Sequence, residues 1–86
     1  MTNQTPDWFH PEKLDFVLDA REMLSRGEHP MGIILSKAEK LKSDCVIELI
    51  TAFVPYPLIE KVEALGLLCY TNQISAEEYH TYFYKK

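Results

Sequence analysis

No stretch of this chain approaches the ~20 consecutive apolar residues that cross a bilayer, so no membrane partner is expected. Basic charge is also scarce: nine Lys and Arg stand against thirteen Asp and Glu, a net charge of -4, with a pI near 5.2. A nucleic-acid-binding face needs clustered Lys and Arg, and the closing Tyr84-Lys85-Lys86 is too short to supply one. Cysteine is nearly absent. Cys45 and Cys69 each lie in an apolar run, neither belongs to a CxxC pair, and two thiols make no disulfide framework. Both are expected to be reduced and buried. There is no cofactor-binding loop, no internal repeat and no low-complexity tract. The opening MTNQTPDWFHPEK lacks the basic start and apolar centre of a signal peptide, which makes the cytoplasm the expected compartment.

What is present is ordinary for one small folded domain. The 86 residues are 47% apolar and 26% charged, too apolar for disorder and too few for two domains. So small a core makes a homo-oligomer a reasonable expectation. Residues 1–12 hold two prolines and several small polar residues, and read as an irregular tail before a domain spanning 13–86. Trp8 and Phe9 are out of place in a free tail. Adjacent large aromatics imply docking, on this domain or on a neighbour.

Phe16-Val17-Leu18 reads as a short strand, and Ala20 to Gly27 as one or two helical turns stopped by the glycine. A helix is expected from about Pro30, because proline suits the first turn. Its buried stripe is Met31, Ile34, Leu35, Ala38 and Leu41. Gly32 inside it implies a close backbone approach. Ser43-Asp44 reads as a turn, and Cys45–Thr51 as the strongest strand, central in type. A second helix buries Leu58, Ile59, Val62 and Leu65 and ends at Gly66 in a left-handed cap. Leu67–Thr71 and Tyr79–Tyr84 read as the last two strands, with Tyr70, Tyr79, Tyr82 and Tyr84 covering the open sheet face. The expected fold is an α/β (α+β) two-layer sandwich, β-α-β-α-β-β, with both helices on one face of a four-stranded mixed sheet.

One polar constellation looks placed for binding or chemistry. Asp19, Arg21, Glu22, Glu28 and His29 converge on the start of the Pro30 helix. A histidine there is expected to be neutral, able to ligate a metal, act as a base or accept a hydrogen bond; the plainer alternative is a cap or a packing residue. His80 begins the last strand, and an antiparallel course brings it to the same sheet edge. His29 and His80, with Glu22, Glu28, Glu77 or Glu78 nearby, then suit a transition metal such as zinc or iron, although no HxxxH spacing supports it. Asp19 and Arg21 read as a structural pair, with Arg21 as the alternative anion or partner contact. Glu48 reads as an outward or edge residue.

Leu18-Asp19-Ala20-Arg21, the helix-opening proline, the Cys45–Thr51 strand and the closing YFYKK resemble the SirA/TusA-like superfamily of small sulfur-carrier proteins. The phrase PLIEKVEALG, Pro57 to Gly66, is closer to a bacterial branch known only as a domain of unknown function. The resemblance spans roughly residues 14–86 and implies a sheet whose last strand lies between the second and third. It also implies a reactive cysteine directly before the helix-opening proline. Here that position is His29, which cannot carry a persulfide. The expectation is therefore a small non-catalytic binding or adaptor domain, engaging a protein partner or small ligand through the helix-start edge or the aromatic sheet face. Arg21, Glu22, Glu28, His29 and His80 are its candidate contacts. A metal- or haem-associated redox protein using His29 and His80 is the alternative, and an accessory role in sulfur trafficking a third.

Overall fold

Strand β2, Val46–Thr51, is built from β-branched and apolar residues and is buried along most of its length. Around it the structure, a computed structural model, describes residues 5–86; the first four residues of the irregular tail lie outside that range. Strand β1, Leu14–Asp19, runs parallel to β2 on one side. Strand β4, Glu78–Tyr84, runs antiparallel to it on the other, and β3, Leu68–Ser75, closes the hairpin outside β4. The order is β1-β2-β4-β3, a four-stranded mixed sheet with its last strand inside. No helix among the described residues is long and apolar enough to cross a membrane.

Helix α1, Arg21–Ser25, is a single short piece, ended by Gly27 at φ +81°. Helix α2, Met31–Lys40, follows Pro30, whose carbonyl accepts the Ile34 N–H at 2.9 Å. Helix α3, Tyr56–Ala64, has Pro57 in its first turn, where no amide hydrogen is needed, and Gly66 beyond its end at φ +94°. Ile34, Ala38 and Leu41 from the α2 segment and Leu58 and Val62 from α3 pack on Ile47, Leu49 and Phe83 of the sheet. Both long helices thus cover one face, as the strand–helix order requires.

Several local expectations are corrected, among them the burial of Leu65, which is 43% exposed just beyond the end of α3. β3 runs on to Ser75, because pairing with β4 gives the polar Asn72-Gln73 a ladder that their propensity would not favour. Tyr79 is opposite Thr51 and Gln73, on the helix side of β4, because alternation puts it out of phase with Tyr82 and Tyr84. Gly32 has no close neighbour: a Cβ built there meets nothing within 4 Å. Cys45 and Cys69 are unpaired, half-buried and packed against the core.

The tail docks on its own sheet. Trp8 stacks on Tyr84 with centroids 5.0 Å apart and planes 8° from parallel. Phe9 lies 4.3 Å from Tyr82 and 6.4 Å from Tyr70. Below the tail, Lys13 pairs with Asp44, and the Tyr84 hydroxyl donates to the same carboxylate at 2.8 Å. Asp44 holds φ at +70°, a turn conformation that Asp tolerates better than most residues.

With open space at Gly32 and a helical backbone, Gly32→Ala should stabilise the domain by about 1 kcal/mol in denaturant unfolding. The Lys13 ammonium and the Tyr84 hydroxyl hold the Asp44 carboxyl below its ordinary value of 3.8. A depressed folded value means that this anchor is fully present above pH 3.8 and is lost as pH falls through the folded value. Emission from Trp8, the chain's single tryptophan, should therefore change below that pH before the far-UV spectrum does. Asp44→Asn should show the acid-like emission already at neutral pH.

Candidate functional site

The C-terminal ends of the parallel pair β1 and β2 open onto the start of α2, the position where α/β sheets commonly take ligands. The pocket there has a volume of about 410 Å³ and an apolar lining. Leu24 from α1, Pro30 and Met31 at the α2 start, and Leu58 from α3 form its walls, with Thr51 at the end of β2. Phe53 and Pro55 come from the β2–α3 loop, where the Thr51 hydroxyl donates to the Phe53 carbonyl and pins the turn. Phe53 is 50% exposed and the adjoining Tyr56 69% exposed, so aromatic surface stands in the open around this loop. His29 also lines the pocket and, among the described residues, is the only titratable side chain in it.

A polar assembly lies across the sheet, on the face without helices. Glu48 of β2 sits beside His80 of β4, with His80 Nδ1 2.8 Å from Glu48 Oε2. His80 Nε2 lies 2.7 Å from Glu78 Oε2, so the ring is held between two carboxylates. An imidazolium donates to both, whereas a neutral ring has one N–H for two acceptors. Tyr82 donates its hydroxyl to Glu48 at 3.2 Å. Burial, with Glu48 beside it, pushes the Tyr82 phenol up to about 12, so it remains a donor at neutral pH. Arg21 ties on the edge strand, donating through Nε and Nη2 to Asp19 at 3.0 and 2.8 Å and approaching Glu78 at 3.3 Å. The Arg21 guanidinium accordingly holds the Asp19 carboxyl below its usual range.

The sequence-derived candidates are therefore split between places. Arg21 and His80 share a network through Glu78. Glu22 and Glu28 are exposed and flank Arg26, just past the end of α1, at 3.6 and 3.2 Å. His29 lines the pocket on the helix side while His80 lies on the opposite face, so the structure does not bring the two histidines together. Both His80 ring nitrogens already face carboxylates. Among the described residues, no three His, Cys, Asp or Glu side chains are arranged to hold a metal ion. The expected metal pairing fails because strand alternation turns His80 away from the helices.

Glu48 was the least legible member. Read alone it is an outward residue, yet it is 12% exposed in an interior strand, which demands a partner. The register supplies one, since Glu48 sits opposite Tyr82 and its neighbour Ile50 opposite His80. The pocket walls had no polar signal to find. Neither thiol takes part in either place, and burial pushes Cys69 up to about 12, leaving little thiolate at neutral pH. No family model matches the chain, and no curated protein or solved structure does either.

Removing Glu48 leaves the His80 Nδ1 and the Tyr82 hydroxyl without their shared partner, while His80 Nε2 keeps Glu78. Glu48→Ala should cost about 1–3 kcal/mol in chemical denaturation, whereas Glu22→Ala on the exposed side of α1 should stay within about 0.5 kcal/mol.

Proposed function

We propose that this domain is a non-catalytic binding module whose pocket at the start of α2 takes a small apolar ligand. The observation that carries this reading is the apolar pocket of about 410 Å³ among Leu24, Met31, Phe53, Pro55 and Leu58. Its size falls within the ~300–1,000 Å³ range of small-molecule sites. Pro30, Pro55 and Pro57 restrict the backbone around it, which favours a preformed cavity. The alternative docking surface, the aromatic sheet face, is already occupied at one end by Trp8 and Phe9.

The strand order and the His29-Pro30 helix start support kinship with the SirA/TusA-like superfamily, in the branch lacking the carrier cysteine. On that kinship the scaffold keeps the helix-start site but holds imidazole where carriers hold a thiol. Transfer of sulfur through Cys45 or Cys69 is disfavoured, since both pack against the core. The position of His29 at the pocket suits a hydrogen bond to a polar group on an otherwise apolar ligand.

Indole titrated against methyl-labelled protein should shift the signals of Leu24, Met31 and Leu58 together, and Met31→Trp, which fills the cavity, should suppress those shifts. If indole leaves these methyls unmoved at millimolar concentration, or moves only residues beside Tyr70 and Tyr82, the pocket is not the binding site.

A further inference from the structure

Two of the three histidines in this chain already face carboxylates, His10 beside Glu12 and His80 between Glu48 and Glu78. The His29 ring has no hydrogen-bond or ion-pair partner among the described residues, and it is the histidine that lines the pocket. The charged side chains just before it in the chain are spent on one another, since Arg26 engages both Glu22 and Glu28. Thr51, the other polar side chain in the lining, is buried and gives its hydroxyl hydrogen to the Phe53 carbonyl. Pro30, Pro55 and Pro57 bring no N–H to the walls. The lining side chains therefore offer a ligand acceptors at Thr51 and His29, but a donor at His29 alone.

The walls favour a flat ring over a flexible chain. Phe53 presents a half-exposed aromatic surface and Met31 a polarisable thioether, and each gains from an aromatic partner beyond the area it buries. The proline rings are fixed in shape and lose no rotamer freedom when a ring settles against them. A charge inside these walls would be stripped of water without a partner. A neutral ring meets no such cost.

Given a ligand in this pocket, as proposed above, we infer that it is a neutral aromatic ring carrying one N–H or O–H, which donates to His29. His29 then sets specificity, and the ring lies against Phe53 and Met31. Indole and 1-methylindole share a ring system and differ in that hydrogen, and the methyl shifts of Leu24, Met31 and Leu58 report the affinity of each. Indole should bind about two- to tenfold more tightly, the worth of one hydrogen bond. In His29→Leu, with an unchanged far-UV spectrum, that preference should disappear while both compounds still bind. Phenol should bind more tightly than cyclohexanol, which keeps the hydroxyl and lacks the π face, and Phe53→Leu should narrow that gap. Equal affinity of the native pocket for indole and 1-methylindole would overturn the inference and leave the pocket standing as a binding site. So would a preference that survives His29→Leu, or cyclohexanol binding as well as phenol. Pocket methyls unmoved by either indole or 1-methylindole would overturn both the inference and the pocket itself as a binding site.

Discussion

Strand β4 is bonded on both sides and covered on both faces, and the rest of the domain is arranged by its alternation. Phe83 enters the core against Ile47, Leu58 and Val62. Tyr82 and Tyr84, one step out of phase, face the other way and receive Phe9 and Trp8. His80 continues that second row into the carboxylate assembly. A one-residue slip of β4 would reverse every one of these placements, so burial on both faces fixes the register strongly.

Much of the architecture was legible because the signals were of the kinds that backbone physics reads directly. Pro30, Gly27 and Gly66 mark helix boundaries through φ, and the β-branched run at Val46–Thr51 marks a central strand. The docking of Trp8 and Phe9 followed from the cost of leaving two adjacent aromatics in water. Side-chain convergence was harder. His29 and His80 share a sheet end in the topology, but not a side of the sheet. The phase of Tyr79 was available from simple alternation, since it is odd-numbered against Tyr82 and Tyr84. The partners of Glu48 depended on a cross-strand register that no local pattern carries. Gly32 invited an explanation by close contact, and open space removed it.

The two faces divide labour by chemistry. On the helix side, the pocket is apolar and lies between elements distant in the chain: α1, the start of α2, and the β2–α3 loop. On the opposite side, Glu48, His80, Glu78, Arg21 and Asp19 link three strands and the start of α1 through hydrogen-bonded polar contacts. That network satisfies groups that would otherwise be costly to leave half-buried in a sheet. It gives the face facing away from the helices a polar end and, under the tail, an aromatic end.

The interior place of β4 bears on how the domain is assembled in time. β4 is the last of the four strands to leave the ribosome, yet β2 gains its second neighbour, and β3 its only one, when β4 arrives. Without β4, Ile47 and Leu49 lack Phe83 as a core neighbour. The β3–β4 hairpin closes locally, whereas its docking on β2 joins segments some thirty residues apart, a non-local step of the kind that slows folding. Docking of the hairpin is therefore the contact that completes both the sheet and the core: without Glu78–Tyr84, β2 would lack its second neighbour and β3 its only one.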